Sequence, residues 1–375
     1  MLRHPSNQVM HAQTLAILTP ALLTNGGNKE ILDLASRIEQ RGVQVRLISL
    51  WQFADTLQTQ LPVTVLASKT RSKLRAVLQL PAILYRFFRF GLDHPQCTFV
   101  FTHYSTFIPA MMALKHRKIF FMQGLEWKFI RPMFLQTLMA RLIEYLTKRQ
   151  LVVTTSLGLS SIYKSQFKTI VTTEYPIWAN AYFADTSAQE RSIDIVFISR
   201  HGSLKRLDLY IDVLYKIKAQ SPHIKIAAIT PQADTLKALG SSIDLSFVLP
   251  SVEEMKAIYS KSKIFLMLSD SEGFSLPPLE AMGAGCVPIC RDNGGSRNYL
   301  LPQLAELLLP LEQTAEQICE AIDSLLKNTG RLERLSKTCR EMFQQGANES
   351  EHKKARAIDE IIAHLKASEE LSKNV

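Results

Sequence analysis

Glu272-Gly-Phe-Ser-Leu-Pro-Pro-Leu-Glu280 holds two carboxylates eight positions apart. The apolar run Ile264–Leu268 precedes it, and Ala281-Met-Gly-Ala-Gly285 and a second apolar run, Cys286–Ile289, follow. This pattern predicts strand, tight loop, helix, strand. The loop offers free backbone N–H groups where the helix begins, and the helix dipole favours an anion there. Pro277 and Pro278 suit the first helical turn, where a missing N–H costs nothing. Glu272 and Glu280 then lie near one rim. Carboxylates beside a phosphate repel it, so they are expected to accept hydrogen bonds from neutral sugar or ribose hydroxyls. The stretch implies a sugar-nucleotide site.

Working outward, the same alternation recurs along 375 residues, enough for two domains. Strands are expected at Leu15–Thr19, Gln44–Leu50, Val63–Ala67, Cys97–Thr102, Lys118–Met122 and Leu151–Thr155, with helices such as Lys29–Gln40 and Phe129–Arg149 between them. The pattern breaks between Glu174 and Ser192, where Tyr175-Pro-Ile-Trp178 is an extended X-Pro stretch. It restarts with strands at Asp194–Ser199, Ile224–Ile229, Ser246–Leu249, Ile264–Leu268, Cys286–Ile289 and Leu307–Leu309. Helices are expected near Leu204–Gln220, Val252–Ser260, Ala315–Lys327, Arg331–Gln344 and Glu351–Lys366. Alternating strands and helices with short loops define an α/β chain of parallel sheets. The expected organisation is two Rossmann-like, doubly wound domains facing a cleft, residues 1–178 and 179–348, with a last helix in 349–375 that crosses back.

Three further stations carry candidate chemistry. Gly26-Gly27 follows the first strand and lets the backbone approach a phosphate or sugar. A plain βα turn accounts for the pair equally well. Arg200 and Lys205 lie five apart where a strand gives way to a helix. Cations there oppose the dipole, so a nearby anion such as a diphosphate is implied. A solvated basic turn is the competing explanation. Asn293-Gly294-Gly295-Ser296 forms one more glycine turn after the strand Cys286–Ile289.

Together, Gly26-Gly27, Arg200 with Lys205, and Glu272-x7-Glu280 followed by Ala-Met-Gly-Ala-Gly resemble the retaining glycosyltransferases of family 4, the large two-domain GT-B group. The ordered match spans roughly residues 14 to 300. The resemblance implies that Arg200 and Lys205 bind the donor diphosphate and stabilise it as it leaves. Glu272 would accept hydrogen bonds from the donor sugar, and Glu280 would grip the ribose. Amides of Phe274, Ser275 and Leu276 would contact sugar and phosphate, and Gly26 and Gly27 would close over the donor. The chain also departs from the family. Gln123 stands where a histidine is common, and glutamine cannot shuttle a proton at neutral pH. His103 and Glu126 are the substitutes in reach of the same strand ends, although His103 also suits a structural place at a strand end. Asn298 stands where many members have an acidic residue.

The resemblance implies transfer from a nucleotide-diphosphate sugar, with no other cofactor and no metal. Nine histidines are scattered without ligand spacing. Residues 1–178 carry 21 Lys and Arg against 8 Asp and Glu, whereas residues 179–375 carry 23 against 26. A basic first half implies an acidic partner, with an anionic membrane surface, a lipid-pyrophosphate acceptor or a nucleic acid as candidates. With the family resemblance, a lipid-linked glycan acceptor or a membrane surface is expected and no nucleic acid. Residues Lys69–Phe90 place six basic residues beside two apolar lines, Leu74, Val77, Leu78, Pro81, Leu84 and Phe88, and Ile83, Phe87 and Phe90. Pro81 is expected to kink or split that helix. A buried helix pair and a membrane-surface contact fit it equally. No apolar run reaches the length of about 18 residues that a spanning helix needs, so a cytoplasmic or peripheral protein is expected. The five cysteines read as buried thiols. Two rivals remain. One is a sugar-nucleotide epimerase or soluble-acceptor synthase; the other is a non-catalytic module that binds anionic lipid or nucleic acid.

Overall fold

Strands of nearly unbroken apolar character can only be satisfied between two layers of helix. The computed structural model describes residues 14–373, apart from 24–25, 53–58, 68–77, 114, 126, 128–129, 131, 168–170, 177, 179–181, 183, 185–190, 200–202, 232 and 273. The chain forms two compact units, Met1–Pro176 with His352–Val375, and Ile177–Glu351.

In the first unit the elements run β1 (Thr14–Thr19), α1 (Gly26–Glu39), β2 (Gln44–Ser49), β3 (Val63–Val65), α2 (Leu80–Asp93), β4 (Thr98–Phe101), α3 (Phe107–Met112), β5 (Arg117–Met122), α4 (Met133–Thr147), β6 (Leu151–Thr154), α5 (Leu157–Gln166) and β7 (Val171–Glu174). They build a parallel sheet in the order β3-β2-β1-β4-β5-β6-β7. Alternate side chains of β1 serve opposite faces. Leu15 and Ile17 join a core with Leu34 and Ile38 of α1, and Ala16 and Leu18 join one with Ile83 and Phe87 of α2. Strand β7 (Val-Thr-Thr-Glu) was not legible as a strand, because two threonines and a glutamate break the apolar run. Pro81 does not kink α2. It sits in the helix's first turn, where its fixed φ suits the start. Of the two apolar lines, Ile83 and Phe87 are buried, while Leu78 and Phe88 are exposed. The basic stretch before it, residues 68–77, lies outside the described residues.

The second unit runs β8 (Ile193–Ile198), α6 (Leu207–Gln220), β9 (Ile226–Thr230), α7 (Ala233–Leu239), β10 (Leu245–Val248), α8 (Val252–Ser260), β11 (Ser262–Met267), α9 (Leu276–Gly283), β12 (Val287–Arg291), α10 (Arg297–Leu300), β13 (Leu308–Leu309), α11 (Ala315–Lys327) and α12 (Thr329–Lys373). Its parallel sheet has the order β10-β9-β8-β11-β12-β13. Local signals explain the helix starts. Ser251 with Glu254 and Thr314 with Gln317 form capping boxes, each satisfying two orphan donors. The sequence predicts two helices at the end; α12 is one, with Gly346 inside it. Trp178 explains that glycine. A Cβ on Gly346 would lie 2.3 Å from the Trp178 ring, whose Nε1 donates to Phe343 O at 3.1 Å.

From His352 onward α12 belongs to the first unit. Ala357, Ile358, Ile361 and Leu365 pack with α1, and Lys354, almost fully buried, reaches Asp33 at 2.8 Å and Glu30 at 3.5 Å. Tyr175 donates to Asp33 at 2.6 Å. Burial pushes the Glu30 carboxyl up to about 7, against the opposing pull of Lys354. A raised carboxyl binds more protons folded than unfolded, so it removes stability as pH rises from about 4.5 to about 7. Glu30→Gln is therefore expected to raise the melting temperature at pH 8 and to leave it nearly unchanged at pH 4.5. An equal effect at both pH values would show that the Glu30 proton is not involved.

Candidate active site

In the second sheet, strand order reverses between β8 and β11, and ligands of such sheets bind beyond the carboxyl ends of strands at that point. Two loops leave there. The first carries the turn Ser203–Lys205; the second carries Glu272 and Ser275. They meet: Lys205 Nζ donates to Glu272 Oε1 at 2.6 Å, and Asp270 N donates to Leu204 O at 2.9 Å. The loop after β12 joins them, since Glu272 N donates to Asn293 O at 3.0 Å. Gly295 is what permits that approach, because a Cβ there would lie 2.9 Å from the Phe274 carbonyl carbon.

Ser275 caps α9 in the left-handed region, at φ 66°, and Tyr299 OH holds its carbonyl at 2.7 Å. Both prolines fall in the first turn of α9 as expected. Phe274 is buried edge-on to Trp178 with ring centres 6.5 Å apart. Leu276 and Glu280 are half-buried. Glu280 accepts from the buried Tyr259 OH at 3.5 Å. Burial first, and the Glu280 charge second, push the Tyr259 hydroxyl well above its usual range, so it stays a donor. Asn298 donates Nδ2 to Gly295 O at 2.7 Å, a bond a carboxylate could not make. Arg200 lies outside the described residues, as does Glu126.

In the first unit Gln123 and Gly27 come together. Gln123 Nε2 donates to Gly27 O at 2.8 Å, which braces the first turn of α1, opened by Gly26. His103 follows β4 by two residues and caps the turn Tyr104–Thr106, with Nδ1 accepting from Ser105 N at 3.2 Å. That bond leaves the proton of the neutral ring on Nε2. Burial lowers its pKa to about 4. Sequence reasoning found the residues of both patches but none of their pairings. It did not assign Asp270, Arg206 or Arg291 to holding the Lys205 turn: Asp270-Ser-Glu272 resembles a paired-carboxylate metal motif, and Arg291 carries no motif. Among the described residues, no group of three or more His, Cys, Asp or Glu is placed to hold a metal.

The two parallel sheets and their loops are the GT-B glycosyltransferase fold. Sucrose-phosphate synthase from Thermosynechococcus elongatus superposes with a TM-score of 0.77 at 16% identity, covering 95% of this chain and 100% of that one. HepE of Anabaena, in complex with UDP and glucose, gives 0.69 at 15% identity over 95% and 100% of the two chains. WaaG, a glycosyltransferase involved in lipopolysaccharide biosynthesis, gives 0.67 at 12% identity over 92% and 98%. Residues 180–342, within the second unit, match the family described as Glycosyl transferases group 1. Two curated relatives come from filamentous viruses. One, of Sulfolobus islandicus filamentous virus, is 51% identical over 51 residues, 14% of this chain. The other is ORF330 of Acidianus filamentous virus 2, provisionally named a glycosyltransferase and 26% identical over 158 residues, 40% of this chain. The aligned segments cover only 16% and 48% of those relatives' own lengths.

Proposed function

We propose that this chain transfers a sugar, with retention of anomeric configuration, from a nucleoside-diphosphate donor to a lipid-linked surface glycan. The observation that carries the reading is the contact of Lys205 with Glu272 at the switch point between β8 and β11. A cation for a diphosphate and a carboxylate for sugar hydroxyls stand there side by side. Lys205, with Arg200, neutralises the leaving diphosphate; Glu272 orients the sugar; Glu280 takes the ribose hydroxyls. Gln123 cannot take a proton at pH 7 and burial makes the His103 ring a weak base, so the leaving phosphate oxygen is the group proposed to take the acceptor's proton. HepE's UDP and glucose support a uridine-linked hexose as the first donor to try. A panel of nucleotide sugars, scored for thermal stabilisation and slow donor hydrolysis, tests the reading. One donor should stabilise the protein, and EDTA should leave transfer unchanged. No response to any donor would sink it.

An anionic membrane surface is the second partner proposed, on the cytoplasmic side. The basic charge of the first 178 residues supports it. So do the exposed apolar side chains of α2 and α4, including Tyr85, Phe88, Leu92, Phe134 and Leu138. No described helix is long and apolar enough to cross a membrane. The protein is expected to float with phosphatidylglycerol liposomes at low salt, and Phe88→Ser with Phe134→Ser to reduce that fraction severalfold. Equal flotation of the double variant would place the contact elsewhere.

A further inference from the structure

Arg206 adopts a left-handed backbone, φ 50° and ψ 48°, immediately after Lys205. A side chain there is strained, and glycine would not be. Strain of this kind persists where surrounding contacts hold it, and it concentrates at functional sites. The contacts are specific. The guanidinium meets Asp208 through Nε and Nη2 at 3.0–3.2 Å, and its Nη1 donates to Asp270 Oδ1 at 3.2 Å. The same Asp270 oxygen accepts from Arg291 Nη1. Arg291 is 4% exposed, belongs to β12 and also donates to Leu268 O. Asp270 itself stands two residues before Glu272, and its N–H holds Leu204. A buried arginine on the sheet thus fixes Asp270, Asp270 fixes Arg206, and Arg206 fixes the turn that presents Lys205.

We propose that Arg206 is a positioning residue for sugar transfer, acting through Lys205 by tying its turn to Asp270 and Arg291. This rests on the donor-site reading of Lys205 given above. A lysine on an unpinned turn would sample many placements, and a displacement of about 1 Å at a reacting centre costs on the order of 100-fold in rate. The pinned turn keeps the ammonium against Glu272.

The test is a kinetic cycle on the full chain with Arg206→Gly, Lys205→Met and the double variant, using the donor found by the panel. Glycine relieves the backbone strain, so Arg206→Gly should melt within about 3 °C of the parent. Its kcat/KM should fall by about 100-fold. In the Lys205→Met background the same substitution should change kcat/KM by less than about 2-fold, because the group it positions is gone. Arg206→Asn, which tolerates the left-handed region but cannot reach Asp270, should behave like the glycine variant. Wild-type kcat/KM in either variant overturns the proposal. So does an undiminished loss in the Lys205→Met background, or an Arg206→Gly protein that melts early. If Lys205→Met alone keeps full activity, the donor-site reading fails instead.

Discussion

Glu272→Gln is expected to uncouple nucleotide binding from sugar transfer, with the two moving in opposite directions. Glu272 is the sugar-facing carboxylate in the proposed reaction and is also the partner of Lys205 at 2.6 Å. Hydrogen bonds to a charged group contribute about 1.5–3 kcal/mol each, so replacing the carboxylate should lower kcat/KM by roughly 10- to 100-fold. The same change releases Lys205 from its counter-charge. The pair is partly exposed, and such pairs contribute about 0.2–1 kcal/mol. A free nucleoside diphosphate should therefore bind about 1.4- to 5-fold more tightly to the variant. Titration calorimetry with UDP, set beside initial rates, separates the two effects. Weaker UDP binding together with unchanged transfer would mean that Glu272 serves the nucleotide and not the sugar.

The second large effect reverses a propensity rule. Gly346 lies inside α12, and alanine in a helix interior normally gains about 0.5–1 kcal/mol over glycine. Here the added Cβ would stand 2.3 and 2.4 Å from two Trp178 ring carbons. The ring would have to leave its place, losing its bond to Phe343 O and its contacts with Phe274 and Phe343. Overpacking of that kind costs about 1–3 kcal/mol, which exceeds the propensity gain. Gly346→Ala should lower the melting temperature by roughly 2–6 °C. In a Trp178→Ala background the sign should invert and the same alanine should stabilise. Stabilisation in the parent would show that the Trp178 ring is free to move.

Strands that are apolar throughout, such as Ile264–Leu268, were legible because their type needs no knowledge of partners. The Glu272–Glu280 loop was legible for a related reason: glycine, proline and carboxylate carry their conformational and chemical meaning locally. What the sequence did not disclose depends on pairing across distance. Lys205 and Glu272 are 67 residues apart, and Gln123 and Gly27 are 96 apart. The sequence places two helices, Arg331–Gln344 and Glu351–Lys366, where α12 runs unbroken through Gly346, and only the Trp178 ring explains why a glycine belongs there. Strand β7 was missed because Thr172 and Thr173 hide it in a pattern search, although its register against β6 is regular.

All five cysteines are buried, and burial drives their thiols away from the reactive anion, to about 12 for Cys97, Cys286 and Cys290 and about 11 for Cys319. Cys97 belongs to the first unit and the other four to the second. An alkylating reagent applied to the native protein therefore meets sulfur only when a unit opens. Mass spectrometry of the labelled peptides would report the opening of each half separately, with no engineered probe.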